Sequence, residues 1–107
     1  MVIDQYSIIL VGLDPTIGSE MKKTRPCVLL SPIEMNQYLN TIIIAPMTSS
    51  IKKYPSRVSI THSNKKGSIA LDQIRTIDKK RVIKVFGKMS PKEIRNCKST
   101  LQQILVD

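Results

Sequence analysis

The sequence predicts a mainly β fold with one helix at its end: a small, strongly bent antiparallel sheet or partly closed barrel with the helix packed on it. Three observations carry this. Short β-rich segments separated by turn residues recur along most of the chain. One strong helix start, Ser90-Pro91-Lys92-Glu93, comes only after the last of them. The length, 107 residues, suits a single core, so residues 1–107 are read as one domain.

The elements follow in order. Tyr6 to Leu13 is β-rich and makes a first strand. Asp14-Pro15-Thr16-Ile17-Gly18-Ser19-Glu20 is turn chemistry and, with Met21 to Thr24, forms a long loop ending at Arg25. Pro26 to Leu30 is an unbroken apolar run, the pattern of a strand buried on both faces. Pro32 to Leu39 has room for one or two helical turns, and the Ile-rich stretch Thr41 to Pro46 is a third strand. Ser49 to Pro55 is a second polar loop. Arg57 to Thr61 alternates as a half-exposed strand does, and His62 to Lys66 is a turn. Ser68 to Leu71 and Gln73 to Ile77 give further strand signals, and Arg81 to Phe86 alternates charged and apolar residues as the last strand. In the helix, Ser90 is the cap, Pro91 the first helical residue and Glu93 the partner that closes a capping box. Ile94, Cys97, Leu101, Ile104 and Leu105 then recur at helical spacing, which predicts one stripe facing the core.

Composition narrows the function. An apolar fraction of 41% is that of a folded domain, and with one Phe, three Tyr and no Trp the core must be aliphatic. The formal net charge of +9 is high for this size and favours a polyanionic partner: nucleic acid, an acidic protein or an anionic surface. The cations cluster as Lys22, Lys23 and Arg25; as Lys52, Lys53 and Arg57; and as Lys79, Lys80, Arg81, Lys84 and Lys88. The apolar runs are too short to span a membrane, and Met1-Val2-Ile3-Asp4 lacks the charged start of a signal peptide. Cys27 and Cys97 lie inside apolar patterns. Buried reduced thiols are expected, which fits a cytoplasmic protein.

Two segments stand out: Thr24-Arg25-Pro26-Cys27-Val28-Leu29-Leu30-Ser31-Pro32 and Ile44-Ala45-Pro46-Met47-Thr48-Ser49-Ser50. Each carries a polar group where an apolar strand meets a loop. Arg25 offers a permanent charge on a planar fork, and Thr48 a hydroxyl; together they suit a phosphate. Other hydrolytic devices are poorly supported. The single histidine, His62, sits in a Ser/Asn/Lys turn and reads as a solvated loop residue. Asp72 and Asp78 lack ligand spacing, no glycine-rich phosphate loop exists, and no metal or cofactor is expected. One route needs neither metal nor protein nucleophile. In RNA the ribose 2′-hydroxyl attacks the adjacent phosphate and displaces the next nucleotide's 5′-oxygen, while the protein holds the backbone in line and stabilises the added charge. Arg25 and Thr48 suit that task. Glu20 is the nearest carboxylate in sequence, as a base or as a partner that orients Arg25. The plainer reading is also open: Arg25 in a surface ion pair, Thr48 bonding its own backbone.

Four stretches then occur in order: Leu13-Asp14-Pro15-Thr16-Ile17-Gly18-Ser19-Glu20; Arg25-Pro26-Cys27-Val28-Leu29-Leu30-Ser31-Pro32; Ala45-Pro46-Met47-Thr48-Ser49, with Tyr54-Pro55 after it; and Leu71-Asp72-Gln73-Ile74-Arg75-Thr76-Ile77-Asp78. They resemble the LDPTxGSE, RPVVVLSP, APITS and DQIRTID blocks of the MazF/PemK (Kid) family, toxin endoribonucleases of bacterial toxin–antitoxin pairs. The resemblance covers nearly the whole chain. It implies an SH3-like barrel with a C-terminal helix, acting as a homodimer. It implies metal-independent cleavage of single-stranded RNA at a short sequence, leaving 2′,3′-cyclic phosphate and 5′-hydroxyl ends. Arg25 and Thr48 match the family's catalytic arginine and threonine. Ser19 and Glu20, with Gln73, match positions lining the RNA groove. Lys22, Lys23, Lys52 and Lys53, and Ser49 beside Thr48, complete the expected RNA-binding set. The implied regulator is an antitoxin whose acidic tail occupies the same basic groove.

The chain departs from the family in places. The Gly-Asp that opens the family's first strand is Tyr6-Ser7. After Tyr54-Pro55 the family often has an aromatic and an acidic residue; here Ser56 and Arg57 remove a stacking position and add charge. In the Kid-like branch a His in the first loop and an Arg before the Asp-Gln carry catalysis. Those positions are Ser19 and Ala70, so the Arg25/Thr48 arrangement is the one expected. Two other classes stand beside it: a gyrase-poisoning toxin of the CcdB type, which relies on a Trp-Gly-Ile end where this chain has Ile104-Leu105-Val106-Asp107, and a non-catalytic RNA-binding module.

Overall fold

The computed structural model describes residues 3–12, 23–50 and 53–106. The described strands are β1 (Ser7–Gly12), β2 (Thr24–Leu29), β3 (Thr41–Thr48), β4 (Arg57–His62), β5 (Lys65–Ala70), β6 (Arg75–Asp78) and β7 (Val82–Lys88). They form one curled antiparallel sheet in the order β4-β5-β3-β2-β1-β7, with β6 beside β3. Helix α1 (Ile33–Tyr38) links β2 to β3, and α2 (Pro91–Leu101) follows β7. The mainly β fold with a terminal helix is the one the sequence predicts.

Strand alternation divides the core in two. Ile8, Val28, Ala45, Met47, Val58 and Ile69 face one side, beneath Cys97 of α2. Ile9, Val11, Cys27, Leu29, Ile42 and Ile44 face the other. β2 is therefore buried on both faces, which is why its sequence is a run of apolar residues rather than an alternation. The curl has local causes. The β1–β7 register shifts between Ile8 and Ile9 and again between Leu10 and Val11, and each such irregularity bends and twists a strand pair. Gly87, opposite Ile8, takes φ +126°, a conformation that side chains resist. The curl brings the two sheet edges together: the His62 ring of β4 lies 4.7 Å from the Phe86 ring of β7.

Several elements differ from expectation. β4 and β5 are longer than their patterns suggest, because the hairpin turn is only Ser63-Asn64, both in the left-handed region (φ +53° and +62°). That is the backbone of a tight two-residue hairpin, a role asparagine tolerates. Gln73 lies in a single 3-10 turn, Leu71–Gln73, not in a strand. The helical stripe also fails at its end: Cys97 is buried and Ile94 and Leu101 pack on the core, but Ile104 and Leu105 are exposed in a wider π-type turn, Gln102–Val106.

Tyr6, which the resemblance sets against a glycine, has φ +67°. The left-handed region disfavours a side chain by about 1–2 kcal/mol. Surrounding bonds hold it there: its amide donates to Leu29 O at 2.7 Å, and its carbonyl accepts from Met89 N at 3.0 Å. Its ring packs against the core under the ammonium of Lys98.

Candidate functional site

Two prolines shape the site. β2 pairs with β3 from Leu29↔Ile44 to Cys27↔Pro46. Pro46 has no amide to donate, and Pro26 removes another donor one residue on. Beyond Pro46 the pairing with β2 ends, while on its other edge β3 pairs Met47↔Ile69 and Thr48↔Ser68 with β5. The sheet parts here, and a cavity of about 380 Å³ opens, bordered by Arg25, Thr48, Ser49, His62, Lys65 and Lys66.

Arg25 bridges the parting. Its Nε donates to Met47 O at 3.1 Å, in place of the ladder bonds that have ended. This fixes the guanidinium plane and engages one donor; no described residue binds its Nη groups. Thr48 Oγ1 accepts from Ser50 N at 3.2 Å. The local turn bond and the functional reading are compatible, since a hydroxyl that accepts from an amide still has its own proton to donate. Ser68 Oγ donates to Ser50 O at 3.0 Å and holds the same segment from β5. Gly67 makes that approach possible: a Cβ there would sit 2.5 Å from Thr48 O. No carboxylate borders the cavity among the described residues, so its charge suits an anion.

Of the expected site residues, Arg25, Thr48 and Ser49 share this cavity. Lys23 and Lys53 are exposed in loops beyond it, and Gln73 is exposed on its 3-10 turn outside the lining. Ser19, Glu20, Lys22 and Lys52 lie outside the described residues. His62, Lys65 and Lys66 are additions. His62 is not a solvated turn residue but the half-buried end of β4, paired with Lys65. The Ser63-Asn64 pair was the available signal, since a two-residue turn there makes both flanks strand.

Cys27, beside Arg25, is buried, and its thiol donates to Arg25 O at 3.6 Å. Burial pushes its pKa up to about 11 and that of buried Cys97 up to about 12. Both are thiols at neutral pH, so neither is a nucleophile. The charge that Ser56-Arg57 brings is already paired. Arg57 makes a two-pronged contact with Asp72, Nε to Oδ1 at 2.8 Å and Nη2 to Oδ2 at 3.3 Å, and Ser56 Oγ also donates to Oδ1. The Arg57 hydrogen bond holds the Asp72 carboxyl below the usual range. This pair fastens the turn carrying Gln73 to β4.

Residues 4–105 match the family model described as a PemK-like, MazF-like toxin of type II toxin–antitoxin systems. The chain is 30% identical over 103 residues to the endoribonuclease toxin MazF of Escherichia coli (strain K12), covering 95% of this chain and 93% of that protein. It is 33% identical over 100 residues to the endoribonuclease MazF of Staphylococcus saprophyticus, covering 88% and 83%. Among solved structures, MazF in a MazE–MazF complex from Deinococcus radiodurans superposes with a TM-score of 0.82 at 23% identity, over 99% of this chain and 98% of that one. A mycobacterial endoribonuclease in complex with its cognate antitoxin gives 0.80 at 17% identity, over 97% and 95%. These last two likenesses concern the fold.

Proposed function

The chain belongs to the PemK-like, MazF-like toxins of type II toxin–antitoxin systems, and on that footing we propose that it is a sequence-selective endoribonuclease toxin that cuts single-stranded RNA without a metal ion and so inhibits translation. The observation that carries this is the meeting of Arg25 and Thr48 at one cavity with Lys65 and Lys66 beside them. A phosphodiester seated there receives the Arg25 Nη groups on its non-bridging oxygens and the Thr48 hydroxyl on the same phosphate. The 2′-hydroxyl gives up its proton as its oxygen bonds to phosphorus, the bond from phosphorus to the 5′-oxygen breaks and that oxygen takes up a proton, so the products are a 2′,3′-cyclic phosphate and a 5′-hydroxyl. Arginine stays protonated, so it stabilises charge and does not act as the base. Glu20 is the carboxylate proposed for that step or for orienting Arg25. Ser19, Lys22, Lys23, Ser49, Lys52, Lys53 and Gln73 are proposed to track the strand on either side.

The partners follow from charge and apolar surface. The +9 balance suits both RNA and an antitoxin with an acidic segment. Homodimerisation is supported by an apolar groove beside the end of α2, with Leu105 and Val106 67% and 73% exposed. No described helix is long and apolar enough to cross a membrane, and a cytoplasmic, bacterial location is proposed. The relatives named as endoribonucleases favour this reading over a gyrase-poisoning or purely RNA-binding role.

An RNA digest in excess EDTA tests the proposal. Cleavage is expected to survive the chelator and to fall by at least about a hundredfold in Arg25→Ala, the loss typical of a transition-state donor. Loss with EDTA alone would overturn it.

A further inference from the structure

His62 is the chain's one histidine, and the cleavage chemistry above makes no use of it. It borders the same cavity as Arg25 and Thr48. Its ring is held from the far edge of the sheet by Phe86, centroids 4.7 Å apart and planes inclined at 58°. A tilted aromatic pair of this kind fixes ring orientation. Phe86 is itself 39% exposed, with the Lys84 ammonium 5.2 Å from its ring centroid. The two left-handed residues Ser63 and Asn64 set the hairpin that places Lys65 opposite His62, with Lys66 next along β5. The cavity thus carries a phosphate grip, an oriented ring and two further cations. A single-stranded nucleic acid presents the matching order: a phosphate, an unstacked base, and the next phosphate. Such strands are held by backbone cations together with aromatic platforms for their bases.

Resting on the reading of this cavity as an RNA site, we propose that His62, braced by Phe86, is a stacking residue that seats one unpaired base beside the scissile linkage and contributes to sequence choice. It thereby supplies a platform that Ser56 does not. The ring acts by its face. It is not the group that moves the proton.

The test combines KM and kcat on one short cleaved RNA with sequencing of cut ends from a random single-stranded RNA pool. Losing one base stack corresponds to about a tenfold effect. His62→Ala is therefore expected to raise KM by that factor with kcat within about twofold, and to flatten base preference at one position flanking the cut. His62→Phe keeps a ring without a titratable nitrogen and is expected to restore KM and a preference at that position. Phe86→Ala keeps His62 and loses its brace, so it is expected to fall between. His62→Gln, ringless and polar, repeats the alanine arm should the smaller residue loosen the hairpin. The proposal is overturned if His62→Phe is as impaired as His62→Ala, if the loss falls on kcat, or if His62→Ala cuts the same ends with unchanged KM. Wild-type cleavage that resists EDTA and needs Arg25 leaves the underlying reading standing in each of those cases. A wild-type protein that cuts no RNA removes both.

Discussion

Thr48 joins a structural bond to the proposed chemistry. Its hydroxyl oxygen accepts from Ser50 N, its carbonyl lies close against Gly67, and its hydroxyl proton is the one proposed to reach the phosphate. The position of that proton depends on how closely β5 can approach. Gly67→Ala would put a methyl group 2.5 Å from the Thr48 carbonyl oxygen, and backbone on both sides must move. A loss of about 1–3 kcal/mol is expected, the range for overpacking, together with most RNA cleavage. Urea denaturation and a cleavage assay measure the two effects. Gly12→Ala is the control, because its nearest neighbour would be the flexible end of Ile83 at an ordinary 3.6 Å. It should alter neither measurement appreciably.

At the scale of elements, α2 is fastened by its first turn. Ser90 Oγ accepts from Glu93 N, and Glu93 Oε1 accepts from Ser90 N at 3.0 Å. Glu93 does more than cap: its Oε2 accepts from Thr61 N at 2.9 Å, on edge strand β4. One carboxylate therefore starts the helix and ties it to the sheet edge next to His62. Ser90→Ala is expected to cost about 1 kcal/mol, the usual value of a lost cap. Glu93→Ala should cost more, because it also leaves the Thr61 amide without its partner. Chemical denaturation of both variants, with equal m-values, gives the comparison. Equal losses would show that the tie to β4 contributes nothing.

At the scale of the whole molecule, the basic cavity and the apolar groove share no lining residue. The cavity of Arg25, Lys65 and Lys66 lies where the sheet parts. The apolar groove of Tyr6, Ile43, Ile74, Leu101, Leu105 and Val106 lies beside the end of α2. An exposed stripe of this kind is unfavourable in water unless covered. If a second copy covers it, Leu105→Asp should convert a dimer to a monomer at micromolar concentration, read by light scattering. The fold of each subunit should survive, since Leu105 is already 67% exposed.

Much of this was legible in the chain. Alternation, turn residues and the capping box specified most strands and the terminal helix, because those signals are local. The Arg25 and Thr48 segments could be singled out because each sets a polar group at the end of an apolar run. His62 could not be placed that way. Its neighbours in sequence are polar turn formers, and its role depends on Phe86, 24 positions away and on the opposite edge of the sheet. Nor could periodicity tell that Cys97 is covered while Leu105, on the same stripe, is not. The sequence by itself determined the mainly β class with its terminal helix, burial of the thiols, the excess of positive charge and the family. Only the tertiary structure decided which cations share a cavity, which ring joins them and where the apolar stripe runs out. Helix and strand follow from neighbours a few residues apart, whereas a cavity is made by strands that the curl of the sheet brings together.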